Sequence, residues 1–182
     1  MTSEASARSA LRSATARHHD EVDKLFSAAD LTDRAGYGVF LTAQAEAHIG
    51  VEDALTRAGA ASVVPDWAER CRAALLRADL AELGLPIPAS TGGLRLDGEA
   101  PILGAAYVLE GSRLGGRLLQ RSVPAHLPTR FLGASDSAGW RKLLIVLDEQ
   151  LKFDEARNRA IRAAIDVFTL FRHSGQRFLN TG

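Results

Sequence analysis

Apolar residues recur every three or four positions along most of this chain, and runs of β-branched residues are scarce. That period builds a single apolar stripe on a helix and cannot line one face of a strand. Leu11, Thr15, His18, Val22 and Leu25 or Phe26 share one such stripe, and Ile161, Ile165, Phe168 and Phe171 or Arg172 share another. Proline and glycine divide the pattern. The spacing predicts helices over 6–26, 33–58, 65–83, 99–123, 137–152 and 154–174. Asp30 or Thr32 caps the second, Pro65 and Asp66 open the third, and Ser137 and Asp154 cap the last two. Residues 84–99, with Pro86, Pro88, Gly92, Gly93 and Gly98, read as a loop. Pro124, Pro128 and Gly133 break the chain again. No internal repeat and no shift in composition divides residues 1–182, so the expectation is an all-α, single-domain helical bundle.

Composition narrows what such a bundle does. Hydrophobic residues make up 46% of the 182, enough to build a core. Twenty-two Lys and Arg balance 22 Asp and Glu, which argues against a nucleic-acid binder working by bulk charge. Cys71 is the one cysteine, so neither an internal disulfide nor a cysteine metal site is expected, and a reducing compartment fits. The first residues lack a basic segment followed by an apolar one, and no stretch has the ~18 uncharged apolar residues of a membrane span. The expected location is cytoplasmic.

Two features exceed what packing requires. The first is the pair His18 and His19 in the middle of the first helix. An imidazole there serves as a core group, a surface group, a base or a metal ligand. No Cys, Asp or Glu stands at zinc spacing around the pair, so a closed zinc site is not expected. One axial ligand to a heme iron, by contrast, needs one histidine. Arg12 precedes His19 by seven residues, which on a helix means about 20° of rotation and roughly 10 Å of rise. One helix face therefore places a cation about as far from His19 as a heme propionate lies from its iron. His18 lies nearer the centre of the apolar stripe, and periodicity alone does not choose between the two.

The second feature is a helix carrying Gly104, Gly111, Gly115 and Gly116. Each interior glycine costs about 1 kcal/mol relative to alanine. Gly104, Gly111 and Gly115 fall on one face, at spacings of seven and four. Such a face admits close approach by another helix or by a flat cofactor. The Gly115–Gly116 pair is expected to kink the helix. Arg113, Arg117 and Arg121 fall on the opposite face and read as mainly solvated.

The segment Leu11-Arg-Ser-Ala-Thr-Ala-Arg-His-His-Asp-Glu-Val-Asp23 resembles the first heme-contacting helix of heme oxygenases. There a basic residue, Ala-Thr and the proximal histidine recur at this spacing. The segment Tyr107-Val-Leu-Glu-Gly-Ser-Arg-Leu-Gly-Gly116 resembles the distal helix of the same family. Together with Asp33-Arg-Ala-Gly-Tyr-Gly-Val-Phe-Leu41, the wording is similar to bacterial heme oxygenases associated with bacteriophytochromes. The resemblance covers most of the chain. It implies heme sandwiched between the first helix and a kinked, glycine-rich distal helix. It puts His19 at the iron, Arg12 at a propionate, and Thr15, Tyr107 and Arg141 among the heme-binding residues. Gly111, Ser112, Gly115 and Gly116 take the catalytic distal positions. Lys142 lies beside Arg141 in the region that supplies further propionate partners. Mammalian-type members carry an aspartate where this chain has Ser112.

The resemblance further implies that heme is both substrate and cofactor, cleaved by dioxygen to biliverdin, carbon monoxide and iron. Electrons come from an external ferredoxin or reductase, because no flavin or nicotinamide fingerprint is present. A bacteriophytochrome is a possible recipient of the biliverdin. Two other readings use the same residues: a heme sensor or carrier without turnover, and a heme-free helical scaffold for protein contacts. The roles of His18 and His48 are not set at this level.

Overall fold

In the computed structural model, which describes residues 6–90, 92–134 and 136–179, the chain forms eight α-helices and two short 3₁₀ turns, with no strand among those residues. They are α1 (Ala7–Phe26), α2 (Arg34–Arg57), α3 (Trp67–Arg70), α4 (Ala73–Glu82), α5 (Glu99–Leu119), α6 (Arg130–Gly133), α7 (Ser137–Gln150) and α8 (Asp154–Leu179). Local chemistry explains the ends. The Ser6 hydroxyl accepts from the Ser9 N–H at the start of α1. The Asp33 carboxylate accepts from the N–H groups of Ala35 and Gly36, so Asp33 caps α2 rather than Asp30 or Thr32. Asp30 instead accepts both the N–H and the hydroxyl of Thr32. Likewise Asp136, not Ser137, caps α7, through the Gly139 N–H.

One predicted helix is divided. Residues 65–83 do not run continuously: α3 ends at Arg70, and Cys71 takes an extended conformation with ψ 127°. The cause is a buried carboxylate. Glu52 on α2 accepts the N–H of Arg72 at 2.6 Å and of Ala73 at 3.1 Å. It thereby caps α4 from outside the segment. The short α6, which breaks the expected irregular stretch, is anchored similarly: Asp79 accepts from the Phe131 N–H at 2.9 Å.

Helix α2 is buried along most of its length and forms the centre of the bundle. Around it, α8 lies against α1, α2 and α5. Two glycines permit these approaches. A methyl at Gly104 on α5 would overlap the Ala160 carbonyl of α8, and one at Gly175 on α8 would overlap Leu25 of α1. Gly104 thus has a packing role. Helix α8 packs against both α1 and α5, while α1 and α5 barely touch among the described residues.

Gly104→Ala gains helix propensity but forces the α5–α8 crossing apart. A net loss of about 1–3 kcal/mol is expected from denaturant unfolding. Unchanged or increased stability would show that this crossing is not close-packed.

Candidate heme-binding site

The space between α1 and α5, floored by α8, collects most of the expected residues. On α1, the His19 ring stands edge-on to Phe168 of α8, with centroids 6.0 Å apart. Its side chain is 58% exposed, and Nδ1 lies 3.1 Å from an Asp23 carboxylate oxygen. The pair stands at ion-pair distance on the exposed side of α1, without hydrogen-bond geometry. A carboxylate behind a ligating imidazole fixes its tautomer and raises its basicity. Arg12, two turns earlier on this face, is exposed and has no carboxylate partner among the described residues. His18 is half-buried and lies near Glu21.

Helix α5, which like α1 packs on α8, also has an open side. A methyl at Gly115 would meet nothing within 4 Å, and one at Gly111 would meet only the Trp140 ring edge, at 4.0 Å. Leu114 and Leu118 flank these glycines and are 55% and 66% exposed, an unusual state for leucine on a well-packed helix. One turn before Gly111, half-buried Tyr107 packs on Trp140 with ring centroids 5.6 Å apart. Burial raises the Tyr107 pKa, while the charges of Arg8 and then Arg12 oppose the rise. The phenol therefore lies within electrostatic reach of the first turns of α1.

The opening thus runs from cationic and phenolic groups at one end to bare backbone and leucine at the other. An outward-facing imidazole lies two turns from Arg12. No cluster of three or more His, Cys, Asp or Glu able to hold a metal exists among the described residues. The residues suit a flat apolar ligand that brings its own metal and carries carboxylates along one edge.

No protein-family model matches the sequence. The heme oxygenase of Xanthomonas campestris pv. campestris is 38% identical over 112 residues, which span 58% of this chain and 67% of that protein. The chain belongs to the heme oxygenase family. Heme oxygenase PigA of Pseudomonas aeruginosa is 29% identical over 167 residues, 84% of this chain and 83% of PigA. The NO- and CO-bound heme oxygenase of Neisseria meningitidis has the same fold. It superposes with a TM-score of 0.83 at 22% identity, covering 98% of this chain and 94% of that one.

Of the expected residues, His19 and Arg12 are exposed on α1, and Tyr107, Gly111 and Gly115 lie on the side of α5 that carries Trp140 and open space. Arg141 is exposed on α7. It lies seven residues before Asp148, whose carboxylate accepts the Ala7 N–H at 2.9 Å, so Arg141 shares the α7 face that meets α1. Four expectations change. Thr15 is buried and its hydroxyl donates to the Leu11 carbonyl, back along its own helix. Gly116 turns inward against the backbone of Leu132 in α6, so it serves packing rather than the open face. Lys142 pairs with Asp66. Arg113 is not solvated: it is 5% exposed and bound to Glu110 at 2.8 Å and to the carbonyls of Arg70 and Ala134.

Ser112 joins a buried polar array that no spacing in the sequence announces. Its hydroxyl donates to the Leu109 carbonyl at 2.6 Å and accepts from Arg72 at 2.8 Å. Arg72 also donates to the Leu109 carbonyl and lies over the Phe131 ring. Burial, with help from the Arg113 charge, pulls its pKa down to about 9, so it remains a cation at neutral pH. Beneath Arg113, Glu110 also binds Arg70 at 2.7 Å. The open glycine face is therefore backed by a charge-paired underside. The signal available in sequence was the polarity of Glu110 and Arg113 on a face that periodicity marks as inner.

His48 ends this array. Its Nε2 lies 3.2 Å from Glu52. Glu52 is buried, which opposes its charge, but bonds from His48, Arg72 and Ala73 outweigh burial and hold its pKa low. The neutral His48 ring therefore donates through Nε2, leaving Nδ1 an acceptor without a partner. Burial pushes the His48 pKa down to about 4. The unfolded chain binds this proton near pH 6.5 and the folded chain does not, so stability falls as pH drops from 6.5 towards 4. The bonds to Glu52 favour its ionised form beside His48. Between pH 7 and pH 5 the loss through His48 is expected to be about 2 kcal/mol. Denaturant midpoints at the two pH values should differ by less in His48→Gln. An equal pH dependence in the variant would show that His48 does not titrate this way.

Proposed function

We propose that this heme oxygenase binds heme with His19 Nε2 as the axial ligand and cleaves it to biliverdin, carbon monoxide and iron. The observation that supports the reading is an exposed imidazole beside Asp23 on α1 together with uncovered backbone at Gly111 and Gly115 on α5, two helices that both pack on α8. When bound, heme supplies the iron that activates dioxygen and the macrocycle that is oxidised. The protein's share is placement. Phe168 supports the His19 ring, and the Asp23 carboxylate lies beside its Nδ1. Arg12 provides a charge-assisted partner for a propionate, Tyr107 and Arg141 stand at the same end, and Leu114 and Leu118 line the apolar end. The absence of side chains at Gly111 and Gly115 leaves room on the opposite face for dioxygen and water. Ser112 contributes support rather than a proton, since its hydrogen already goes to Leu109.

Electrons come from an external ferredoxin or reductase. The resemblance of the distal segment supports a bacteriophytochrome as the recipient of biliverdin. No helix among the described residues is long and apolar enough to cross a membrane, and with Cys71 as the one thiol this supports work in a reducing cytoplasm.

Hemin titration should give a histidine-ligated Soret spectrum. His19→Ala should abolish that ligation and His18→Ala should largely preserve it; the reverse pattern would shift the ligand by one residue. Gly115→Ala separates placement from folding. Its methyl meets no protein atom, so the heme-free protein should gain up to about 1 kcal/mol of stability. Single-turnover biliverdin yield should nevertheless fall. Lower stability with unchanged yield would remove α5 from the distal role.

A further inference from the structure

The uncovered stretch of α5 has one large side chain standing beside it. A methyl at Gly111 would reach the Trp140 ring at 4.0 Å, while one at Gly115 would reach nothing. The indole, half-buried on the first turn of α7, also packs on Tyr107, with ring centroids 5.6 Å apart. It therefore bounds the open face at its Gly111 end. A flat ligand lying on that face meets open space in one direction and an aromatic wall in the other.

The two partners of this contact share a buried tie. Arg70 in α3 is 3% exposed. Its Nη1 donates to the Glu110 carboxylate at 2.7 Å, its Nη2 to the Gly139 carbonyl at 2.8 Å, and its Nε to the Pro65 carbonyl. Glu110 immediately precedes Gly111, and Gly139 immediately precedes Trp140. One planar guanidinium thus spans the residues next to both sides of the Gly111–Trp140 contact. Gly139 leaves room for it: a methyl there would overlap the Asp136 carboxylate and lie 3.3 Å from Arg70. The Lys142–Asp66 pair joins the same two segments at a second point. Charge balance alone does not require Arg70, because Arg113 already pairs with Glu110 at 2.8 Å.

We propose that Arg70 is a positioning residue for heme cleavage: its fork holds Glu110 and Gly139 at a fixed separation and so keeps Trp140 as a rigid wall at the Gly111 end of the glycine face. The proposal rests on the heme reading above and adds a determinant of specificity. Rotation of the macrocycle in its own plane exchanges the four meso carbons. A bulky wall at one end of the face admits some of these rotations and excludes others. Lysine in place of Arg70 would keep a charge beside Glu110 but, as a point charge, could not bridge to Gly139 in the same plane.

Trp67→Phe leaves Trp140 as the one indole and serves as the parent for the test. Arg70→Gln and Arg70→Lys both break the fork. The first leaves Glu110 and Arg113 as a neutral pair, so no buried charge is stranded. In heme-free protein with parental helical dichroism, acrylamide quenching of Trp140 fluorescence should rise in both variants. The biliverdin isomer ratio should shift in both, and in Trp140→Ala. Adding Arg70→Gln to Trp140→Ala should shift the ratio no further, since a residue that acts through Trp140 then has nothing left to position. Parental quenching and a parental isomer ratio in both Arg70 variants, with the Soret band intact, would overturn the proposal while leaving the heme reading in place. An equal further shift in the Trp140→Ala background would also overturn it, marking general loosening. Loss of the fold in both Arg70 variants would overturn it too, marking a structural role. Failure of the parent to bind hemin would overturn the heme reading and the specificity role with it.

Discussion

Where Gly104 lies against the Ala160 carbonyl, α5 and α8 approach so closely that a methyl group does not fit between them. This crossing determines where α5 runs over the rest of its length. Elsewhere on α8, Gly175 admits the Leu25 side chain of α1. Helix α8 therefore seats both helices. The two barely touch each other, and His19 on one and Gly111 and Gly115 on the other remain uncovered. An opening of this kind needs rigid walls, because a gap that could collapse would do so to bury Leu114 and Leu118.

Part of that rigidity comes from the underside of α5. Glu110 is bound by Arg70 and Arg113, and Arg72 ties Ser112 and Leu109 to the α3–α4 junction. Buried ion pairs are weak contributors to net stability, since desolvation offsets most of their attraction. Their geometry is directional, however, and the remaining donors of Arg70 and Arg113 go to backbone carbonyls. An apolar underside could slide along α4 and α6; this one has a single register. The same array explains why the third predicted helix divides: Glu52 needs the N–H groups of Arg72 and Ala73, and a continuous helix would spend them on its own carbonyls.

The glycine-rich helix shows how one local feature divides into separate roles. Four interior glycines announce close approach, but not by what. Gly104 meets a helix backbone, Gly116 meets Leu132, and Gly111 and Gly115 meet almost nothing. A glycine records only that a side chain is absent. What fills the space depends on the path of segments distant in sequence, here α6 and α8. The same limit applied to Thr15, whose place in a family-like motif suggested contact with ligand, and whose hydroxyl closes on its own helix.

Helical class, the main helices and the shared face of Arg12 and His19 were all determined by the sequence alone. These depend on periods of three and four residues and on capping chemistry within a turn. The residue-level resemblance that selected His19 over His18 was equally legible, because it lies within one continuous segment. Only the tertiary structure decided that α1 and α5 barely touch, that Arg113 is buried, and that Glu52 interrupts a helix some twenty residues away. Each of these outcomes is a contact between segments far apart in the chain. Such contacts are selected by the packing of the whole bundle, and a local pattern carries no record of them.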